Sequence, residues 1–548
     1  MPAYLPLHPL LLLLLLPAFS PSSLLTKAGW VDPDSPHSVQ RTHSLRDPNL
    51  PSLRLVMSDE FNVAARTFAD GHDPTWTAGD HSDDARTSVG KGALIYYNHS
   101  YASTTEEGHL KITTTSESTQ WKGFNPFTQK YEIFEKEFRG AMVNSWNKFC
   151  FSGGVVEASL KLPGPSDVGG LWPAFWLMGN LGRATYEHST NLMWPWSFDV
   201  CDRKKQEAQE ISACDRTTHW DLQQNKGRGA TEIDIMEAMS GKPHKVTKKG
   251  DLGVGVPYMS STLQVSPGVE KNRPQAGKNF TEHQEEWTWY DGLRFGEKSK
   301  MNMYFYGTLL DKTQKDEPAG RSIHQVYQAD AVSALTSLSA THWDDFHTYR
   351  LEWMPGPEGY LAWYLDGEML YDVPASAFSN VTGAQIPVEP SYVILNTAVS
   401  TTWGFPETCP AGCACTCFDC AKPECQCGLP EGLCESLPAS MLVDYVRIYQ
   451  LEDDERHFLG CNHPKFPTRK FIQAHRWRYQ RCKQKDYHDD NVRGRVFLHF
   501  QLPGRFPASL VAALSTLGAV LIGAVLVWGR AREREEEEER RREEETQE

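Results

Sequence analysis

Apolar and polar residues alternate along several short stretches of the chain, at 155–162, 361–365 and 442–449. Successive side chains of a β-strand point to opposite faces, so this period-two pattern predicts strands with one buried face. In the last stretch the pattern predicts a face made of Leu442, Asp444, Val446 and Ile448. Asp366-Gly367, directly after the second stretch, is a two-residue hairpin signal. Long helical periodicity is scarce before residue 500, which favours one large all-β sandwich with long insertions.

Two continuous apolar stretches lie near the ends of the sequence. Residues 10–16 are all leucine, a run too short to span a bilayer and typical of a signal-peptide core. Residues 508–528 carry no charge and have the length that a membrane-spanning helix requires. Arg530, Arg532 and Arg534 follow directly and predict a cytosolic C-terminus. We therefore expect a single-pass membrane protein of the secretory system or cell surface, with its main domain lumenal or extracellular.

These signals divide the chain into six segments. They are a signal peptide (1–20), a flexible lead-in (21–51), a β-sandwich (52–455) with a Cys-rich insertion (409–434), a basic stalk (456–507), a transmembrane helix (508–528) and a cytosolic Glu/Arg-rich tail (529–548). The stalk is expected to be a solvated linker, with contact to lipid headgroups or an anionic polysaccharide as the alternative.

The composition narrows the class of partner. The formal net charge of −15 argues against nucleic acid, because nucleic-acid binding depends on positive groups that neutralise phosphates. A neutral polysaccharide is compatible with this charge. The 17 tryptophans also favour a polysaccharide, because the apolar faces of sugar rings stack on indole. Most tryptophans of a sandwich nevertheless belong to its core. No cofactor and no metal ion are predicted.

The cysteines indicate an oxidising compartment. Eight of the 13 lie between Cys409 and Cys434, a cluster that predicts disulfides in a secretory lumen and would favour zinc in a reducing cytosol. The other pairs are expected to be Cys201–Cys214 and Cys461–Cys482, with Cys150 left over. Three sequons are candidates for glycosylation, at Asn98, Asn279 and Asn380.

Three carboxylates occur within six residues of an otherwise apolar run, at Glu232, Asp234 and Glu237. On a regular strand Glu232 and Asp234 share a face and Glu237 points to the other. A bulge at Ile235/Met236 would return Glu237 to their side. Converging carboxylates suit retaining glycoside cleavage, in which a nucleophile and a proton donor lie roughly 5–5.5 Å apart. The alternative is a solvated acidic face on an edge strand.

The chain resembles glycoside hydrolase family 16, the laminarinase-like β-jelly rolls, and within it the fungal membrane proteins associated with β-1,6-glucan synthesis. The resemblance runs from about residue 52 to residue 475. Besides the carboxylate run, its motifs are GGVVEASLKLP (153–163), LWPAFWLMG (171–179), NLGRATYE (180–187), WPWS (194–197), FHTYRLEW (346–353), WYLDG (363–367), LNTAVS (395–400) and PASMLVDYVRIYQ (438–450).

The resemblance implies a concanavalin A-like jelly roll that acts on β-glucan. It implies Glu232 as nucleophile, Glu237 as general acid/base and Asp234 as their assistant. The candidates for lining the glucan groove are Trp172, Trp176, Trp194, Trp196, Trp403, His347 and Asn396. Transglycosylation in β-1,6-glucan or β-1,3/1,6-glucan biosynthesis is favoured. An endo-β-1,3-glucanase and a glucan-binding protein without catalysis are the alternatives.

Overall fold

The structure, a computed structural model, describes part of the chain. The described residues are 29–82, 93–125, 130–190, 192–197, 200–201, 209–241, 254–265, 292–302, 330–377, 384–400, 409–413, 415 and 417–480. Trp403, Asn279, Asn380, Cys482 and the segments predicted to be the signal peptide, the transmembrane helix and the cytosolic tail lie outside these residues. None of the helices among the described residues has the length and apolar character needed to cross a membrane.

The described residues form 24 strands and only short helices. The first twelve strands are β1 (Arg41–Thr42), β2 (Leu53–Asp59), β3 (Thr77–Ala78), β4 (Ile95–Tyr97), β5 (Ala102–Thr104), β6 (Leu110–Thr114), β7 (Thr119–Asn125), β8 (Lys130–Lys136), β9 (Phe138–Gly140), β10 (Met142–Asn144), β11 (Phe151–Ser152) and β12 (Gly154–Lys161). The next twelve are β13 (Leu171–Gly179), β14 (Glu232–Met239), β15 (Tyr258–Val265), β16 (Arg294–Phe295), β17 (Ser299–Met301), β18 (Asp330–Ser337), β19 (His347–Met354), β20 (Tyr360–Leu365), β21 (Glu368–Pro374), β22 (Ser391–Val399), β23 (Ala439–Gln450) and β24 (Phe458–Leu459). The α-helices are α1 (Glu187–Thr190), α2 (Thr341–Asp344), α3 (Pro423–Gln426) and α4 (Arg469–Ala474).

Two ten-stranded sheets make up the fold, a mostly-β sandwich of the jelly-roll kind. The first sheet has the order β1-β2-β23-β12-β19-β20-β21-β16, with β6 paired to β23 and β5 paired to β6. The second has the order β17-β18-β15-β14-β13-β22-β10-β3, with β11 joining β22 to β24. Within both sheets all pairs are antiparallel, and β4 and β9 form a separate parallel pair.

The main core lies between the two sheets. Val156 and Leu160 of the first sheet belong to the same buried cluster as Phe175 and Leu177 of the second. The Trp363 indole of β20 also donates a hydrogen bond to the backbone carbonyl of Asp234 in β14, at 3.0 Å. The inner faces of the two sheets therefore pack directly, which leaves the outer face of β14 for the carboxylates.

The three alternating stretches are strands, as predicted. The first lies on β12, the second is β20, and the turn into β21 is made by Asp366 and Gly367, both with positive φ. The predicted face of the third stretch is correct for Val446 and Ile448 and wrong for Leu442 and Asp444. On β23 the pairing shifts at Asp444, so that Val443 and Val446 both reach the main core. A bulge of this kind accommodates one extra residue and reverses the alternation.

The cysteines of the described residues form disulfides. Cys201–Cys214 is as predicted, and the Cys-rich insertion contains Cys409–Cys415, Cys413–Cys427, Cys417–Cys425 and Cys420–Cys434. The prediction that Cys150 is left over and that Cys461 pairs with Cys482 is wrong, because Cys150 pairs with Cys461. The cause is the antiparallel pairing of β11 with β24, since Cys150 directly precedes β11 and Cys461 follows shortly after β24.

Candidate active site

A bulge in β14 brings the three carboxylates to one face. Asp234 pairs with Trp176 and Glu237 pairs with Ala174, so three steps along β14 correspond to two along β13. The pairing of β14 with β15 shifts at the same place. Ile235 is the residue without a counterpart on β13, and its extra step turns Glu237 to the side of Glu232 and Asp234. The bulge lies where the sequence predicted it.

Glu232 is half-buried and held at both carboxylate oxygens. The Trp194 indole donates to Oε2 at 2.6 Å, and the Gln264 amide donates to Oε1 at 2.8 Å. Burial raises the pKa of Glu232 above its usual range, and hydrogen bonds from Asp234, Trp194 and Gln264 oppose that rise. These donors favour the ionised form of Glu232 and limit the rise in its pKa.

Glu237 is half-buried beside a different pair of donors. The Trp172 indole donates to Oε1 and the Ser260 hydroxyl donates to Oε2, each at 3.0 Å. Burial, and then the charge of Glu232, raise the pKa of Glu237 to about 7, against the smaller opposing effect of the two donors. A carboxyl with this pKa is protonated in a large share of molecules near neutral pH, as a general acid must be.

Asp234 lies between the other two carboxylates and is only 1% exposed. Burial, followed by the charges of Glu232 and Glu237, raises the pKa of Asp234 well above its usual value. A side-chain hydrogen bond between Asp234 and Glu232 also raises the pKa of Asp234 and lowers that of Glu232. The site therefore combines a carboxylate whose donors favour its charge, a buried carboxyl whose pKa is raised well above its usual value, and an acid whose pKa is about 7. This combination is suited to nucleophilic attack with proton transfer to a leaving group.

Three of the predicted groove tryptophans lie around the carboxylates. Trp172, Trp176 and Trp194 are each half-buried and pack against one apolar cluster. Their indole N–H groups are engaged, those of Trp172 and Trp194 by the carboxylates and that of Trp176 by Asn396 at 2.8 Å. Asn396 lies in the row Glu237–Ala174–Asn396 across three strands. It is buried, so it supports Trp176 and offers little surface to a ligand.

Two predicted groove residues lie elsewhere. Trp196 is fully buried in the main core, where Gly229 leaves room for its close approach. His347 is on β19 of the other sheet, where its Nδ1 contacts Asp366 at 2.6 Å and its ring stacks on His342. Neither residue lies at the carboxylates. Trp196 does not, because the chain turns inward after Trp194, and His347 does not, because β19 belongs to the opposite sheet of the sandwich.

Sequence reasoning missed Gln264 and Ser260, both on β15. Their register opposite Glu232 and Glu237 makes them donors to those carboxylates. The available signal was the polar run Ser260-Ser261-Thr262-Leu263-Gln264, which is unusual for a central strand. It identifies the functional residues only once the pairing of β14 with β15 is known.

Glycosylation and metal binding have one candidate each among the described residues. Asn98 is half-buried, and its side chain accepts hydrogen bonds from the backbone and hydroxyl of Ser100. The sulfurs of Cys409, Cys413 and Cys415 lie close enough together to suggest a metal site. All three are in disulfides, and metal binding by cysteine requires the thiolate.

Comparison with known proteins identifies relatives of the whole folded region. The family model of the β-glucan synthesis-associated proteins SKN1/KRE6/Sbg1 matches residues 22–409 and 433–494. β-Glucan synthesis-associated protein KRE6 of Saccharomyces cerevisiae is 28% identical over 490 residues, which cover 84% of this chain and 55% of that protein. KRE6 of Candida albicans is 29% identical over 483 residues, which cover 84% of this chain and 54% of that protein. The chain thus spans about half the length of the curated relatives it matches.

Solved structures show a weaker likeness. The endo-β-1,3-glucanase from Pyrococcus furiosus is 19% identical, with 76% of this chain and 99% of that chain covered and a TM-score of 0.38. The laminarinase catalytic domain from Thermotoga petrophila is 17% identical, with 74% and 100% covered and a TM-score of 0.36. At these TM-scores the likeness carries no argument about activity.

Proposed function

The chain belongs to the SKN1/KRE6/Sbg1 family of β-glucan synthesis-associated proteins, and on that basis we propose that it is a retaining enzyme acting on β-glucan. The observation that carries the proposal is the placement of Glu232 and Glu237 on one face, each with its own set of hydrogen-bond donors. Glu232 receives three hydrogen bonds that favour its charge, whereas the pKa of Glu237 is raised to about 7. A retaining glycosidase or transglycosylase requires this division of roles.

The proposed reaction has two steps. The Glu232 carboxylate attacks the anomeric carbon and forms an ester bond, while Glu237 gives its proton to the departing glycosidic oxygen. An acceptor hydroxyl then attacks the same carbon, loses its proton to Glu237 and releases Glu232. Asp234 donates a hydrogen bond to Glu232 in the free enzyme and orients it. The half-buried Trp172, Trp176 and Trp194 present apolar ring surface to the sugar.

We propose that the acceptor is a glucan hydroxyl, which makes the enzyme a transglycosylase in β-1,6-glucan or β-1,3/1,6-glucan biosynthesis. The named role of the relatives in β-glucan synthesis supports transfer. Hydrolysis, as in an endo-β-1,3-glucanase, uses the same carboxylates with water as acceptor, and the two outcomes differ in water exclusion and acceptor affinity.

The test is product analysis with β-1,3- and β-1,6-linked glucan oligosaccharides. Longer or branched products support transfer, and shorter reducing sugars alone support hydrolysis. Glu232→Gln is expected to lower either activity by on the order of 1,000-fold, because an amide cannot act as the nucleophile. Glu358→Gln, at an exposed turn position, is the matched control and should keep full activity. Full activity of Glu232→Gln would contradict the assignment, and binding of glucan without any product would indicate a non-catalytic glucan-binding protein.

We further propose that the enzyme is anchored by residues 508–528, with the catalytic domain lumenal or extracellular and the C-terminus cytosolic. The six disulfides of the described residues support this placement, because disulfides persist in oxidising compartments.

A further inference from the structure

The outer face of β22 is covered, although only β13 separates β22 from the strand that carries the carboxylates. The side chains on that face are buried, with no more than 5% exposure, and they are Tyr392, Ile394, Asn396 and Ala398. The apolar ones among them, Tyr392, Ile394 and Ala398, form one cluster with residues of β4 and β9 that include Ile95, Tyr97 and Phe138. The parallel pair β4–β9 therefore packs on the second sheet from outside.

A row of hydrogen bonds marks where this cover begins. The Trp176 indole donates to Asn396 at 2.8 Å, and the Asn396 amide donates to the Tyr97 hydroxyl at 3.2 Å. Trp176 pairs with Asp234, so the row starts directly beside the carboxylates. We name Trp176, Asn396 and Tyr97 the β22 wall.

Two further groups confine the site along the strand direction. On the side of the site where Glu232 lies, the Trp194 indole donates a hydrogen bond to the Glu232 carboxylate. At the end of Glu237 the disulfide-rich insertion packs against the start of β13, where a Cβ on Gly170 would come within 2.7 Å of Leu433. Leu433 and Leu171 belong to the same buried cluster as the cover of β22.

The side of the site toward β15 is polar. On β15 the side chains that face the carboxylates are polar, namely Ser260, Thr262 and Gln264. Thr262 is within 2.8 Å of Ser333 on β18, so hydroxyl groups continue across that strand. The described residues thus set a polar surface toward β15 and β18 against a closed apolar wall at β22.

We infer that the site takes the end of a β-glucan chain and does not accept an internal stretch. A polysaccharide cut internally must continue on both sides of the scissile bond, and the buried side chains behind the β22 wall leave no space for a sugar ring on the outer face of β22. One end of the chain therefore stops at Trp176. This inference rests on the proposed function and specifies which part of the substrate that activity can use.

The experiment compares linear glucan oligosaccharides with a cyclic β-glucan of the same linkages, using the full-length protein. A cyclic glucan has no end, so the rate on the linear substrate should exceed the rate on the cyclic one by on the order of 100-fold or more, as expected for exclusion by shape. Comparable rates on both would overturn the inference and leave the proposed function standing. No conversion of either would overturn the proposed function, and the inference with it.

Variants of the wall provide the second readout. Tyr97→Ala removes the ring behind Asn396 and should lower the linear-to-cyclic rate ratio several-fold. Tyr97→Phe keeps the ring and loses only the hydroxyl, and it should retain the ratio of the parent protein. A ratio unchanged in a folded Tyr97→Ala variant would show that the wall does not select for chain ends. If Tyr97→Ala does not fold, the comparison of linear and cyclic glucan in the parent protein decides.

Discussion

Glu232 and Glu237 are the same kind of side chain on the same strand, and their neighbours separate their chemistry. Both are desolvated, which raises both pKa values. Glu232 has three donors, one of them the protonated Asp234, whereas Glu237 has two and also experiences the charge of Glu232. Glu237 is therefore protonated more readily than Glu232, as expected when closely spaced acids cannot all ionise.

At the residue scale, the Ser260 hydroxyl should set the upper pH limit of activity. Glu237 must be protonated to act as the acid, so kcat/KM should fall as pH rises through its pKa of about 7. Ser260 lowers that pKa, so Ser260→Ala should raise it and move the alkaline limb upward, by about one to two pH units for a hydrogen bond to a charged group. The measurement is the pH profile of kcat/KM.

Ser261→Ala is the matched control for this prediction. The Ser261 hydroxyl donates to the backbone carbonyl of Ile235 and to neither carboxylate, so its removal should leave the alkaline limb in place. A downward shift in Ser260→Ala, or equal shifts in both variants, would contradict the assignment of Glu237 as the acid.

At the scale of the element, one extra residue in β14 determines which face Glu237 occupies. Without compensation, the three steps from Asp234 would carry Glu237 to the core side. The bulge absorbs one step, and pairing with β13 resumes at Ala174. The bulge in β23 acts in the same way at Asp444. In both strands the outcome is set by pairing with neighbours as well as by the sequence of the strand.

Deleting residues at the bulge tests this explanation. Deletion of Ile235 should restore one-to-one pairing and keep Glu237 opposite Ala174, so activity should survive. The loss of its buried side chain should cost about 2–5 kcal/mol in the free energy of unfolding. Deletion of both Ile235 and Met236 should turn Glu237 to the core and abolish activity. Activity and denaturant unfolding of both variants are the measurements, and survival of activity in the double deletion would disprove the parity argument.

At the scale of the whole molecule, long-range connections hold the sandwich and its surroundings together. Cys150–Cys461 joins positions 311 residues apart, and closing so long a loop restricts the unfolded chain strongly in the chain-entropy model. The Cys-rich insertion is also cross-linked to itself and packs beside the start of β13. The match to the family model omits residues 410–432, which contain most of that insertion. The Cys-rich insertion therefore borders the site in this chain, although most of it lies outside the match to the family model.

The proposed topology can be tested on sealed microsomes with an added protease. The tail after Arg530 should be digested, and the folded region should remain as a protected fragment, because the membrane separates the two. Detergent-opened vesicles are the control and should lose their protection. Cleavage of the folded region in sealed vesicles would contradict the lumenal placement.

Several features of the site could be predicted from local sequence, and others could not. Trp194 and Trp196 are two residues apart and chemically alike, yet one contacts Glu232 and the other lies in the core. Nothing in the local pattern distinguishes them, because the direction of a loop side chain depends on what packs around it. Cys150 was likewise unassignable until β11 and β24 were seen to pair. His347 lies on a strand as expected, but that strand belongs to the opposite sheet.

The sequence by itself determined the strand periodicity, the Asp366-Gly367 hairpin, the need for a bulge between Asp234 and Glu237, and the oxidised cysteine cluster. These follow from backbone geometry and chemistry that act over a few residues. Only the tertiary structure decided that Gln264 and Ser260 hold the carboxylates, and that Tyr97 and Asn396 close the face beside them. Those contacts join strands far apart in the chain, and their register is set by the packing of both sheets, which no short stretch of sequence contains.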